Sequence, residues 1–488
     1  MLFSTVEFII FFLLVVTTIV SIKNRKFQHL FILGASYFFF YYTSNYLVIL
    51  LIFSTLLDFY AGREIWKTHN FTRKKIILGI SLAGNLGLLG FFKYADFGIS
   101  QLNSIGNSFG FEQIPFLNLA LPIGISFYTF QTISYTVDIY RGKLEPCKSI
   151  KEFAFFVAFF PQLVAGPIVR AKDFLPQLRE KIENFNSGKK TLISINNRNL
   201  KLGITLMSFG FLKKMFFADN IAPIANEIFS NSISATSFEI WLGTIAFAFQ
   251  IYGDFSGYSD IAIGAALILG FKLPMNFNKP YFATSPSDFW KRWHISLSSW
   301  LKDYLYIPLG GNKKSSGKTY LNLIMVMILG GLWHGAAVNF LIWGALHGSY
   351  LAIHKGLQKI FPKLSESYFF KTKFGKIISI VITQYFIFLA WIPFRVENTN
   401  DIFYFISKFI FIDFQILEVT EVIFENKFSI IILILFIILN FISFRKVNII
   451  EKISKLNLKI WFVIITTISI SIVFFYNGNP EDFIYFKY

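Results

Sequence analysis

FSIIILILFIILNFISF, residues 428–444, contains no charged side chain and only three polar ones. A helix with this length and apolarity approaches the roughly 20 residues needed to cross the hydrocarbon core of a bilayer. Residues 3–22, in which Glu7 is the one charged residue, and residues 460–475 are similarly apolar. Over the 488 residues, 54% are hydrophobic and 15% are charged, whereas soluble domains carry about a quarter charged residues. These features predict an all-α integral membrane protein with several spanning helices.

Similar apolar segments recur along the chain and predict about eleven to thirteen helices, some lying flat in the membrane surface. Residues 2–22 lack the basic start and cleavage site of a signal peptide, so we interpret them as a retained first helix. No repeat or polar linker interrupts the pattern, and we expect one membrane domain over residues 1–488. The later segments are 202–217, 238–252, 258–270, 320–332, 339–354, 375–391, 401–412, 428–442 and 458–475.

The net charge of +18 comes from 46 Lys and Arg against 28 Asp and Glu. In a soluble protein this excess would suggest nucleic acid binding, but basic residues also collect in the cytoplasmic loops of membrane proteins. The basic loops that follow the first and third apolar segments are therefore predicted to be cytoplasmic. This orientation places a short turn at residues 43–45 and a loop at residues 93–115 on the outer side. We expect no nucleic acid partner.

Residues 152–169 lie between two basic segments that should face the same side of the membrane. The segment is too short to cross twice, and Pro161 and Gly166-Pro167 interrupt its helical hydrogen bonding. We predict a re-entrant or surface-lying element. Because non-helical backbone at membrane depth must be buried in protein or line a wet cavity, we expect this element to border a functional cavity.

Of the six histidines, His334 has the most informative surroundings. It lies in GGLWHGAA, residues 330–337, where three glycines leave space beside the imidazole in an otherwise apolar helix. Ionisable groups at membrane depth are costly and are therefore candidates for function. The alternative is a buried histidine bonded to a backbone carbonyl. By contrast, His347 is expected to be a satisfied buried residue, and His354 to end a helix at the interface.

A second histidine, His294, lies in SDFWKRWHISLSSW, residues 287–300. Pro286 and a serine cap, Ser285 or Ser287, predict a helix that starts here. Its tryptophans and basic residues suit the membrane interface. A surface anchor alone would explain these residues, but it would not explain His294.

Asp254 and Asp260 lie between two apolar segments, where an unpaired carboxylate would be expensive. We expect Asp260 to cap the following helix. For Asp254 the sequence leaves three roles open, namely orienting a histidine, capping a helix or pairing with Arg292. Residues 312–319 lack the first glycine of a phosphate-binding loop, and neither a nucleophile elbow nor a zinc-binding histidine pair occurs. A single cysteine, Cys147, excludes an internal disulfide framework.

Long motifs connect these candidates to a known family. PIGISFYTFQ at residues 122–131 and FPQLVAGPIVR at residues 160–170 resemble the membrane-bound O-acyltransferase (MBOAT) family. Within it, residues 254–260, 288–311, 330–348 and the aromatic terminus 483–488 resemble the bacterial polysaccharide branch, which includes the membrane subunit for alginate O-acetylation. The strongest motifs cover residues 121–170 and 253–348. The resemblance implies a polytopic helical fold with re-entrant and interfacial helices around a central tunnel.

The resemblance further implies that His334 is the catalytic histidine and that His294 faces the same tunnel as a second catalytic group. Lys487 departs from the glutamine that many relatives carry. We expect neither a metal nor a bound cofactor. The residues that we expect to contact substrate are Asp254, Asp288, Arg292, Trp293 and Trp333.

Taken together, these inferences predict an enzyme of the bacterial inner membrane, surrounded by membrane lipids, that moves an acetyl group toward a polysaccharide hydroxyl. The expected donor is a cytoplasmic thioester, acetyl-CoA or an acyl carrier. As in relatives, a periplasmic SGNH-type acetyltransferase would complete the transfer. Two alternatives remain at this level: a polysaccharide or acyl-group transporter, suggested by broken helices and intramembrane charges, and a scaffold that anchors an envelope-modifying complex.

Overall fold

The computed structural model describes residues 1–488 except 165, 187–190, 231–233, 314, 366, 415, 446–447, 477–482 and 487–488, so Lys487 lies outside the described residues. The described residues form helices and no β-strand, as predicted. The first twelve helices are α1 (Val6–Ser21), α2 (Arg25–Ser44), α3 (Val48–Lys67), α4 (Phe71–Ser108), α5 (Ile125–Tyr140), α6 (Ile150–Ala158), α7 (Phe160–Leu163), α8 (Ala171–Asn186), α9 (Asn197–Phe211), α10 (Asp219–Ser230), α11 (Ser237–Ile268) and α12 (Pro286–Trp290).

The second half of the chain continues in the same way. A π-helical turn, Leu212–Ala218, joins α9 to α10, and another, Lys302–Tyr306, follows α13. The remaining helices are α13 (Ile295–Leu301), α14 (Ser316–His334), α15 (Val338–Ile360), α16 (Pro362–Ser365), α17 (Tyr368–Lys371), α18 (Lys373–Arg395), α19 (Ile402–Ile410), α20 (Ile416–Glu425), α21 (Lys427–Arg445), α22 (Ile449–Ser454) and α23 (Leu458–Phe474); short 3-10 turns cover Asn45–Leu47, Pro280–Phe282, Thr399–Asp401 and Ile484–Phe486.

Several helices have the length and composition of membrane spans. Among the described residues, four candidate spans are long and apolar enough to cross a bilayer: Lys26–Lys67, Phe71–Ser108, Lys373–Arg395 and Lys427–Arg445. The helices α1 and α23 are apolar but shorter. The first candidate is broken at Asn45, whose φ of 51° ends α2, in agreement with the predicted turn.

The structure contradicts two boundaries that the sequence suggested. The predicted outer loop at residues 93–115 is wrong in its first part, because α4 continues without interruption to Ser108. Likewise, residues 238–252 and 258–270 are not separate helices, since α11 runs through Asp254 and Asp260 as 32 continuous residues. Asp260 therefore lies inside a helix and does not cap one.

The described chain divides into two compact units, residues 1–207 with 261–274, and residues 208–260 with 275–488. In the first unit, the segment at 152–169 forms two short helices, α6 and α7, whose side chains are almost all buried. The second unit contains every candidate site residue. Its centre is a cluster of aromatic and aliphatic side chains that includes Trp293, Trp343 and Trp391.

Within the second unit, α14 and α15 form a tightly packed antiparallel hairpin. A Cβ atom added to Gly344 would lie 2.4 Å from the Met327 carbonyl oxygen, and one added to Gly331 would lie 2.1 Å from that of Phe340. Only glycine permits this backbone approach. The close packing fixes the end of α14, where His334 is the last helical residue.

Candidate functional site

His334 lies at the closed end of the α14–α15 hairpin. Its side chain is buried, and its ring centroid lies 5.0 to 5.4 Å from those of four aromatic rings. Gly335 ends the helix with extended backbone, so the chain turns away directly after the imidazole. The glycine-rich sequence therefore serves both helix packing and the placement of His334. The rings belong to Trp333, Trp343, Phe394 and Tyr485.

His294 separates two short helices, where the sequence had predicted one helix. It adopts a φ of 42°, and its Nδ1 accepts a hydrogen bond of 3.2 Å from the backbone N–H of Leu297. Because that N–H can only donate, the proton of the neutral ring is on Nε2. Burial lowers the pKa of His294 to about 3, so the ring is neutral at physiological pH. Its Nε2 has no hydrogen-bond partner among the described residues.

Asn276 holds the turn that carries His294. Its backbone carbonyl accepts from the N–H of Ile295 at 2.9 Å, and its Oδ1 accepts from the Ser296 hydroxyl at 2.9 Å. The Asn276 side chain also donates to Ser259 on α11 at 3.2 Å. Nothing in the sequence distinguishes this residue, because a lone asparagine in a loop carries no pattern.

Two aromatic side chains bring the two histidines into one cluster. Trp333 lies between them, with centroid distances of 5.8 Å to His294 and 5.1 Å to His334. Tyr485 also contacts both, at 6.4 and 5.2 Å. These residues, separated by nearly 200 positions in the sequence, thus form one centre in which Tyr485 is half-buried and the other three are buried. We call His294, Trp333, His334 and Tyr485 the histidine cluster.

A buried ion network holds the chain segment that carries Tyr485. Lys214 is 1% exposed, and its Nζ lies 2.9 Å from carboxylate oxygens of both Asp219 and Asp254. The other oxygen of Asp254 accepts a 2.7 Å hydrogen bond from the backbone N–H of Ile484. Asp254 therefore contacts the protein's own cation and the terminal turn. Lys214 was missed, although a lysine pair inside an apolar segment is itself a signal of function.

The other predicted contact residues have different surroundings. Arg292 forms an ion pair with Asp288 at 2.9 Å, so it is not the partner of Asp254. Ser285 caps the N-terminus of α12, as predicted. Asp260 pairs with Lys213 at 2.6 Å. Trp293 is completely buried in the aromatic core. Among the described residues, the ring contacts of His334 involve none of these side chains. Trp333, by contrast, belongs to the histidine cluster.

His347 differs from the expectation of a satisfied buried residue. It is fully buried on α15, and neither ring nitrogen has a hydrogen-bond partner among the described residues. The rings of Trp290 and Trp343 lie 5.1 and 4.6 Å from it. Packing against aromatic rings therefore holds this imidazole.

A polar pocket of about 230 Å³ lies next to the histidine cluster. Its lining includes Phe394, which contacts the His334 ring. It also includes Ala337, which follows His334 by three positions in the sequence. Gln250 also lines it, and the Oε1 of this buried side chain has no partner among the described residues. Arg395 and Glu397 also line the pocket, and the side chain of Glu397 is 86% exposed. The pocket therefore combines hydrogen-bonding groups with access from the surface. Among the described residues, no group of His, Cys, Asp and Glu is arranged to hold a metal ion.

The chain is similar in sequence to several known proteins over most of its length. A probable alginate O-acetylase of Azotobacter vinelandii is 40% identical over 404 residues, which cover 82% of this chain and 76% of that protein. The peptidoglycan O-acetyltransferase of Helicobacter pylori is 38% identical over 77% of this chain and 72% of its own length. The teichoic acid D-alanyltransferase of Bacillus subtilis is 29% identical over 55% of this chain and 67% of its own length.

The match to a family profile covers the segment that contains both histidines. Residues 147–395 match MBOAT, the membrane-bound O-acyltransferase family. The all-helical architecture and the candidate spans are those expected of a multi-pass membrane protein. The chain therefore belongs to the membrane-bound O-acyltransferase family and is an O-acyltransferase.

Proposed function

We propose that the chain transfers an acetyl group from a cytoplasmic thioester toward a hydroxyl of a cell-envelope or secreted polysaccharide, in the inner membrane of a bacterium. The observation that carries this proposal is the histidine cluster, in which two buried imidazoles lie against the same two aromatic rings. The names of relatives that acetylate alginate or peptidoglycan support an acetyl group and a polysaccharide acceptor.

His334 is the proposed general base. Imidazole has an ordinary pKa of about 6.5 and removes protons efficiently near neutral pH. His334 takes the proton of the acceptor hydroxyl while the hydroxyl oxygen bonds to the thioester carbonyl carbon. The resulting tetrahedral intermediate then breaks its carbon–sulfur bond. The imidazolium returns the proton to the departing thiolate, so that His334 is neutral again at the end of the cycle.

His294 is proposed to act as a hydrogen-bond donor. Its Nδ1 is already an acceptor for Leu297, which leaves the Nε2 proton to face the developing oxyanion. A donor that is fixed in a buried site stabilises such charge without reorganisation. The lowered pKa of His294 suits this role, because a base with a pKa near 3 would not accept the hydroxyl proton at neutral pH.

The two reactants are proposed to arrive from opposite sides. The donor, acetyl-CoA or an acyl carrier, approaches from the basic ends of α14 and α15, which carry Lys318, Lys355 and Lys359. The acceptor approaches through the polar pocket beside Phe394, where the Oε1 of Gln250, which has no partner among the described residues, accepts a hydrogen bond from a hydroxyl. The immediate acceptor is proposed to be a serine of a periplasmic SGNH-type acetyltransferase, which passes the group to the sugar.

Replacing His334 with Ala tests the catalytic assignment. We expect thiol release from acetyl-CoA by the purified protein, and acetate on the envelope polysaccharide, to fall by about 10² or more, the range of general-base contributions. His354→Ala is the matched control, because this histidine lies on the same hairpin, nearer the basic end of α15. Unchanged release in a correctly inserted His334→Ala protein would refute the proposal.

A further inference from the structure

A second cavity, separate from the histidine cluster, lies between α11, α18 and α21. It has a volume of about 350 Å³, within the range of ligand pockets, and its lining is almost wholly apolar. Two of its helices, α18 and α21, are candidate membrane spans whose outer side chains are exposed. Such a groove faces lipid in the membrane. Its lining includes Lys279, Val381 and Gln384.

Lys279 provides a positive charge at this groove. Its Nζ donates to the backbone carbonyl of Ser443, near the end of α21, and forms no ion pair with the carboxylates that the structure describes. Two of its three N–H bonds are therefore available to an anion. Arg292 donates to the carbonyl of Asn278, the residue before Lys279, at 3.4 Å, but its charge is already paired with that of Asp288, so Lys279 is the cation that this groove offers.

Gln384 supplies a polar feature inside the groove. Its Nε2 donates to the carbonyl of Ala283 at 3.3 Å, and since a carbonyl can only accept, the orientation of the amide is fixed. Its Oε1 is then left without a partner among the described residues, in a side chain that is 8% exposed. A buried acceptor without a donor is costly. A ligand that brings a hydroxyl into the groove would satisfy this acceptor.

The charge distribution indicates which leaflet the groove faces. Lys371 ends α17, Lys373 and Lys376 lie in the first turn of α18, and Arg445 ends α21 close to Ser443. Basic residues at the ends of spans mark the cytoplasmic side. Basic pockets between helices on this side bind the headgroups of anionic lipids.

We propose that this groove binds one anionic phospholipid of the cytoplasmic leaflet, with a hydroxylated headgroup of the phosphatidylglycerol type. One acyl chain occupies the apolar groove, Lys279 binds the phosphate, and a headgroup hydroxyl donates to Gln384 Oε1. The site is independent of acyl transfer at His334.

Native mass spectrometry of the full chain in detergent, titrated with defined lipids, tests the proposal. Phosphatidylglycerol should bind more tightly than phosphatidylcholine, which lacks net charge, and than phosphatidic acid, which lacks the alcohol hydroxyls of a glycerol headgroup. Lys279→Asn should weaken phosphatidylglycerol binding about tenfold, as expected for a lost charge-assisted hydrogen bond. Asn is chosen because it tolerates the φ of 50° at this position.

Three further variants separate this site from general lipid adhesion. Lys376→Asn removes an exposed lysine of α18 outside the groove lining and should leave binding unchanged. Gln384→Leu should abolish the preference over phosphatidic acid. Val381→Trp fills the groove from a position that is 62% exposed, so it should block binding while the protein still folds. Equal phosphatidylglycerol binding by Lys279→Asn and Lys376→Asn, or by Val381→Trp and the parent, would overturn the proposal.

Discussion

At the scale of single residues, His294 combines a structural and a chemical task in one ring. Nδ1 caps α13, and Nε2 carries the proton proposed to face the substrate. His294→Asn should keep the cap and tolerate the positive φ, because Asn accepts backbone N–H bonds and adopts left-handed backbone. We expect the rate of acetyl transfer to fall by about 10² to 10³ with little change in thermal stability.

His294→Ala serves as the comparison, because it removes both tasks. Besides the lost rate, we expect a stability loss of about 1 kcal/mol, typical of a missing N-cap. Thermal unfolding in detergent and a thiol-release assay measure the two effects. An Asn variant with full activity would contradict the donor role.

The buried cation Lys214 makes a second prediction at this scale. Lys214→Met leaves two carboxylates, Asp219 and Asp254, in the interior without their cation. Removing one partner of a buried ion pair costs about 3 to 5 kcal/mol. We therefore expect a much lower unfolding temperature in detergent. The matched change Lys67→Met, in an exposed pair with Glu64, should have little effect, and equal shifts would refute the expectation.

At the scale of elements, the α14–α15 hairpin positions His334 through its glycines. Gly344→Ala would push a Cβ against the Met327 carbonyl and separate the two helices. Overpacking of this kind costs about 1 to 3 kcal/mol, and the displaced end of α14 should lower activity as well. Gly356 lies on the same helix, and a Cβ added there would be 3.7 Å from its nearest neighbour, so Gly356→Ala should be tolerated. The acyltransferase activity and the unfolding temperature of both variants test this prediction. Equal values for the two variants would argue against close helix packing as the factor that positions His334.

At the scale of the whole molecule, the positive charges predict which ends of the helices face the cytoplasm. A cysteine in place of Glu397, at the polar pocket, should react with a membrane-impermeant maleimide in right-side-out vesicles. A cysteine in place of Lys359 should react only in inside-out vesicles. The buried Cys147, 2% exposed, gives little background. The opposite labelling pattern would reverse the proposed directions of donor and acceptor.

The sequence predicted much of the helical architecture. The segment at 339–354 became α15, and that at 375–391 became α18, because a continuous apolar segment of this length satisfies its backbone hydrogen bonds within itself only as a helix. The predicted positions of the helix ends were less accurate. The glycines and polar residues of α4 after Lys93 resembled a loop, and Asp254 with Asp260 resembled a break in α11, because composition does not reveal the partners that make buried polar groups tolerable.

The sequence by itself determined that this chain lies in a membrane, belongs to an acyltransferase family and carries its candidate chemistry on His334 and His294. These properties depend on composition and on contiguous motifs. Only the tertiary structure decided that Tyr485 lies against both histidines, that Lys214 and Asp254 hold its segment, and that Nδ1 of His294 is already occupied. The reason is physical: a contact between residues far apart in the chain depends on how the helices pack, and no local pattern encodes that packing.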